Sequence, residues 1–363
     1  MLKVSTATVL FCIIFIVISQ QVTAQVSDSL SRKDSVETII DTATVIGVGD
    51  IMLGTFYPSR KYLPPKNDCS LLLKPLSAIL KNADVTFGNL EGVFTDTDED
   101  VKTCRDTNFC YVFGMPSKYV YCLSDAGFDV VSLANNHLGD FGPKGRESTI
   151  EKLNEAKINY AGLKKYPSAT FIKNGIKFGF CAFAPNDETC DINDYDELQK
   201  IVSGLDKTCD VVIVSFHGGA EGADYQHVPR EHEIYLEEDR GNVYEFARKA
   251  IDVGADIVFG NGPHVTRAID LYKNRFIAYS LGNFCTWSKI NLKGPNGIAP
   301  ILKVYTDKKG KFLKAMIYSV YQIKYTPPKL DPAKRALNKI IELTRQDLPE
   351  LNISISDNGL VLP

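Results

Sequence analysis

The most apolar stretches of this chain are short, unbroken runs, and six of them stop abruptly at polar residues. The runs are 44–49 (TVIGVG) before Asp50, 85–88 (VTFG) before Asn89 and Glu91, and 130–134 (VVSLA) before Asn135, Asn136 and His137. Further on come 211–216 (VVIVSF) before His217, 256–260 (DIVFG) before Asn261 and His264, and 276–282 (FIAYSLG) before Asn283. A β-branched run of this length reads as a strand buried on both faces. In open α/β sheets the ligand sits beyond the carboxyl ends of the strands, which is where these polar loops fall.

The pattern between the runs predicts helices over 70–82, 117–126, the later part of 139–158 after opening turn residues, 194–206, 239–253 and 331–346. Two regions alternate in apolar and polar residues. Residues 169–184 carry Asn174-Gly175 between two such runs, a strong hairpin signal, and 300–306 with 311–322 read as a second hairpin. The stretch 94–111, rich in Asp and Thr with Cys104 and Cys110, reads as an insertion or hairpin. Order and spacing give residues 1–24 as a signal peptide, 25–43 as a linker, 44–325 as one α/β domain and 326–363 as a separate helical tail. Strand–helix units interleaved with hairpins imply a mixed sheet, or two packed sheets with helices outside.

The amino terminus changes the compartment. Lys3, the apolar core 9–19 and the small residues before Gln25 resemble a secretory signal, with an uncleaved membrane anchor as the alternative. The chain is therefore expected in the periplasm or at the cell surface. Cys12 leaves with the signal, and the remaining cysteines permit disulfides. A Cys104–Cys110 bridge is the expected local pair, while Cys122, Cys181 and Cys285 lie in apolar surroundings and read as buried thiols. A net charge of −3 gives no electrostatic case for nucleic acid. At 44% hydrophobic the chain can bury a sizeable core.

The six loops hold three of the five histidines. Asp50, Glu91, Asn136, His217 and His264 form a mixed oxygen and nitrogen donor set, suited to one or two divalent ions of Mn, Fe or Zn. Each residue alone has a structural reading: Asp as a helix cap, Asn-Asn as turn chemistry, His as a hydrogen-bonded core residue. Those readings are independent, so they rarely all hold together. Arg267, Arg230 and Arg240 could grip an anionic substrate or make salt bridges. Glu221 could orient His217 or be solvated. His227 and His232 read as surface residues, Asp140 as a helix cap or site contact, and Asn283 as a cleft or turn residue.

The segments GDIMLG (49–54), GNLEG (88–92), SLANNHLGDFG (132–142), INYAG (158–162), SFHGGAE (215–221), GADIVFGNGPHV (254–265) and IAYSLGNF (277–284) resemble the CapA family of bacterial poly-γ-glutamate capsule-synthesis proteins, within the calcineurin-like metallophosphoesterase fold. The resemblance implies an α/β fold, a metallo-dependent phosphatase-like four-layer αββα sandwich. It implies Asp50, Glu91, Asn136, His217, Asn261 and His264 as metal ligands, with Glu91 as the bridge. It implies a catalytic role for His137; Asn135 is read as catalytic beside it, and Asn89, Arg267 and Glu221 as substrate-binding candidates. Two departures stand out: Met52 takes a position where the broader fold has His, and Asn261 one where the family commonly has His.

Two functions follow. One is an exported metal-dependent hydrolase acting on an anionic envelope or capsule-related substrate. The other is a non-catalytic component that assists assembly or export of a capsule polymer, binding the polyanion or its precursors beside capsule-synthesis membrane proteins.

Overall fold

The computed structural model describes residues 42–103 and 110–363; the signal-peptide expectation and most of the expected linker lie outside them. The strand Thr42–Met52 is buried almost throughout and forms the middle of a ten-stranded sheet. On one side Val85–Leu90, Val130–Ser132 and Asn159–Ala161 follow in parallel. On the other, Ile298–Asp307 and Phe312–Tyr321 form the expected antiparallel hairpin. A six-stranded sheet faces it, ordered Ile269–Tyr272, Arg275–Ala278, Ile257–Asn261, Val211–His217, Ile176–Phe183 and Ser168–Lys173. Asn174 (φ 50°) and Gly175 (φ 79°) close its hairpin with two left-handed residues, as a tight primed turn requires.

Between the sheets Val45, Val85, Phe87 and Val130 meet Phe178, Phe180, Ile213, Ile257 and Phe259. Outside the first sheet, Leu123 of the Val120–Ala126 helix and Leu153 of Gly142–Glu155 pack on Ile46, Val48 and Val131. Outside the second, Val202 of Tyr195–Asp206 and Phe246 of Val243–Asp252 cover Val212, Val214 and Val258. The architecture is the four-layer αββα sandwich. Both faces of each central strand are covered, which explains the unbroken apolar runs.

Several local expectations give way. Pro75 interrupts the expected 70–82 helix, leaving Ser70–Leu73 and Ser77–Leu80 joined by a 3-10 turn, because proline lacks the N–H that an α-helix needs. Val93–Phe94 and Gly114–Met115 pair in parallel, so these flanks form no hairpin. Cys122 is no free thiol: it is bonded to Cys69. Cys181 and Cys285 are buried thiols as expected. The Cys104–Cys110 pairing involves Cys104, outside the described residues; Cys110 is disulfide-bonded.

The expected separate tail is part of the main unit. Leu337 and Ile340 of the Arg335–Asp347 helix enter the core between the sheets. Leu360–Leu362 adds to the large sheet beside Phe312–Tyr321. Among the described residues no helix is long and apolar enough to cross a membrane.

Candidate metal centre

The first, second and third parallel strands of the large sheet and two neighbours in the small one end at the same edge, and the polar loops meet there. Asp50 lies where the first strand slips register against both Val85–Leu90 and Asn283–Thr286; such a bulge re-aims a side chain. Glu91 follows the second strand, its N–H donating to Ile51 O at 3.0 Å. His217 ends its strand in register with Asn261. Gly262 lets the next loop approach: a Cβ there would meet Gly218 O at 2.6 Å. His264 itself has φ 59°, a left-handed conformation uncommon for a non-glycine residue and found at functional sites.

Asp50, Glu91 and His264 bring one donor atom each within 4.8 Å of one another. Asp50 Oδ2 is 2.9 Å from His264 Nδ1, and Asp50 Oδ1 accepts from Asn89 Nδ2 at 2.8 Å. His264 Nε2 faces Glu91 Oε1 at 3.5 Å and Glu221 Oε2 at 3.8 Å. Five donor atoms here are buried without a hydrogen-bond partner: Glu91 Oε1 and Oε2, Asn136 Oδ1, His217 Nε2 and Asn261 Oδ1. Buried polar atoms left unsatisfied cost stability. Their chemistry, carboxylate and amide oxygens with an imidazole nitrogen, fits a divalent cation. Met52 contributes nothing: its sulfur accepts from Gly54 N, and the side chain packs with Phe113 and Ile290.

Electrostatics agree. Burial raises the Glu91 carboxyl well above its ordinary range; Asp50, Glu221 and Asp140 add to the rise, and His264 opposes it. Burial alone would discharge His264, but Glu91, Asp50 and Glu221 outweigh it and lift the ring to about 10. His217 is pushed well below its usual value by burial, then by Arg240, His264 and His137. It is thus neutral, the state in which imidazole ligates.

His137 stands beside this set, with Nε2 at 3.9 Å from Glu91 Oε1. Its Nδ1 pairs with Asp140 Oδ2 at 2.8 Å, and its ring stacks on Phe113 at 4.1 Å. Burial lowers its pKa although Asp140 opposes the shift. Asp140 caps no helix: it also accepts from Phe113 N and pairs with Lys102. Its spacing of three from His137 was the signal for this pairing.

Four assigned roles change. Asn135 is a brace rather than a catalytic group: its amide donates to Asn89 Oδ1 and Leu90 O, and its carbonyl accepts from His137 N. Asn89, fully buried, holds Asp50 and is not presented to substrate. Arg267 is also buried, forked onto Glu233 at 2.7 and 2.8 Å, so it grips no substrate. Glu221 pairs with Arg240 at 3.0 Å and faces His264, while His217 Nδ1 lies near Asn89 Nδ2. Arg230, His227 and His232 make exposed pairs with Glu350, Asp347 and Asp239. Asn283 bonds His264 O and Asn296 O, bracing the loop.

Residues 44–287 match the family model of the bacterial capsule synthesis protein PGA_cap. The chain belongs to this family. It is 30% identical over 260 residues to the capsule biosynthesis protein CapA of Bacillus anthracis, covering 66% of this chain and 59% of that protein. It is 27% identical over 261 residues to the PGA biosynthesis protein CapA of Bacillus subtilis (strain 168), covering 67% of this chain and 63% of that one. The alignments thus span less than two thirds of either relative. Among solved structures, a hypothetical protein from Thermus thermophilus aligns at TM-score 0.46 and 16% identity, over 77% of this chain and all of that one. The purple acid phosphatase PPD1 of yellow lupin aligns at TM-score 0.38 and 11% identity, over 82% and 55% respectively. The family resemblance read from the motifs is borne out.

Proposed function

We propose that this capsule synthesis family member is an envelope protein that uses a divalent metal centre to hydrolyse an anionic, capsule-related ester or amide, with a phosphoester as the first class to test. The observation that carries it is the group of Asp50, Glu91 and His264, whose donor atoms lie within 4.8 Å of one another, with both Glu91 oxygens buried and unpartnered; Asn136, His217 and Asn261 add further unpartnered buried donors in the neighbouring loops. A bound divalent cation supplies a nucleophilic water of lowered pKa and charge for the developing oxyanion. Asp50, Glu91, Asn136, His217, Asn261 and His264 would hold one or two such ions. His137, neutral and oriented through Nδ1 by Asp140, presents Nε2 toward the site, where it can accept a proton and return it to the leaving group.

The test is a screen of phosphoester, carboxylic ester and amide substrates with Mn²⁺, Fe²⁺ or Zn²⁺, comparing wild type with Asp50→Ala and His217→Ala. Loss of turnover in both folded variants supports the reading; unchanged turnover in either contradicts it.

Met52 favours a second reading. Its buried sulfur offers the centre no ligand, which suits a cleft that binds a capsule polyanion or its precursor through the metal without cleaving it. Capsule-synthesis membrane proteins would then be its partners, on the periplasmic or outer surface. Metal-dependent binding of poly-γ-glutamate without turnover would select this reading.

A further inference from the structure

We propose that Glu221 is an additional carboxylate ligand of the metal centre, completing the donors around His264 Nε2. The assignment rests on the metal-centre reading above. Asp50 has both oxygens engaged, one by Asn89 and one by His264 Nδ1. Its bond to Nδ1 leaves Nε2 as the ring's free donor atom. That atom is faced by Glu91 Oε1 at 3.5 Å and Glu221 Oε2 at 3.8 Å. Both distances are too long for a hydrogen bond. The shorter of the two lies near the separation of about 3.4 Å between neighbouring ligand atoms on a tetrahedral ion with bonds of about 2.1 Å, while Glu221 stands outside the group of Asp50, Glu91 and His264, whose donor atoms lie within 4.8 Å of one another. Glu91, the second member of this set, is fully buried with neither oxygen hydrogen-bonded, which points to a cation rather than to an internal network.

Glu221 is held by its surroundings. Its other oxygen pairs at 3.0 Å with Arg240, whose side chain is 4% exposed. An outer partner on one oxygen with the second turned to the centre is how metal-binding carboxylates are oriented. The main chain is fixed on both sides. Ala220 N donates to Glu233 Oε2 at 3.0 Å, Ala220 O accepts from Arg267 Nη2 at 3.3 Å, and Gly222 N donates to Pro263 O at 2.9 Å. The buried Arg267–Glu233 pair, three residues beyond His264, therefore stitches the Glu221 loop to the His264 loop. Arg267 Nε adds a bond to Tyr225 O at 2.9 Å.

The experiment titrates Mn²⁺ and Zn²⁺ into the chelator-stripped chain by calorimetry and records the visible spectrum of the Co²⁺ form. Glu221→Gln keeps the size and the Arg240 contact but removes the charge; Glu221→Asp restores the charge at shorter reach. Cation affinity is expected to fall at least about tenfold in Glu221→Gln, with partial recovery in Glu221→Asp. The Co²⁺ spectrum should change, and the unfolding midpoint of the stripped protein should not. Affinity within about twofold of wild type and an unaltered Co²⁺ spectrum, with binding lost in Asp50→Asn, would overturn the assignment and leave the metal centre standing. A wild-type protein that binds none of the three cations would take down the metal centre and this assignment together.

Discussion

Replacing Cys69 and Cys122 with alanine removes the cross-link between the Ser70–Leu73 helix, just after Cys69, and the Val120–Ala126 helix. The closed loop is set by a sequence separation of 53. The chain-entropy relation gives about 14 cal/mol/K for a loop of that length, or about 4 kcal/mol at 25 °C. Cys69 lies in the core outside the first sheet with Leu72, Leu76 and Leu123, and half-buried Cys122 packs against it, so alanine removes little packing and the entropy dominates. With a urea dependence near 3 kcal/mol per molar, the midpoint should fall by about 1.4 M. The assay is urea unfolding of wild type and the double variant, each with and without reductant. Wild type should lose stability on reduction, and the double variant should lose only what the Cys110 bridge adds. A double variant that unfolds at the wild-type midpoint without reductant would refute the reasoning.

Phe87 stacks on Phe259 with centroids 5.5 Å apart and also meets Phe180; Phe87→Ala should cost about 3–5 kcal/mol, read as a lowered urea midpoint. Deleting residues 326–363 uncovers the surface against which Leu337, Ile340 and Leu343 are buried, each worth roughly 1.5–3 kcal/mol. The truncated chain should be aggregated or lack a cooperative transition, and a soluble cooperative product would contradict the merging of tail and domain. His264, lifted to about 10, holds its proton at neutral pH. A cation must displace that proton. Cation affinity should therefore rise with pH through neutrality, and calorimetry in buffers of different ionisation enthalpy should detect proton release. Binding without proton release would contradict that shift.

The assembly of the site was legible because each contributor stands at the end of an apolar run. Strand chemistry fixed where Asp50, Glu91, His217 and Asn261 would lie, at the strand ends of the two packed sheets. Charge was a poorer guide. Arg267 lies close in sequence to His264, but its fork is spent on Glu233, a residue whose burial no local pattern announces. Asn89 and Asn135 share motifs with the proposed donors, yet their amides brace the loops. Period and propensity read two hairpins and most helices well, but not the 94–111 stretch, whose flanks pair in parallel, nor the helix that Pro75 broke. Cys122 looked like a core thiol because its partner is distant in sequence. The tail looked separate because Pro327-Pro328 marks a break in chain direction, and sequence alone carries no sign of the sheet edge it returns to.

The most direct test of the metal centre is elemental analysis of the protein, purified without chelator, beside its Asp50→Ala variant. The account predicts one to two equivalents of Mn, Fe or Zn in the wild type and loss of metal in the variant. Wild-type protein that carries none, even after incubation with an excess of each ion, would contradict it.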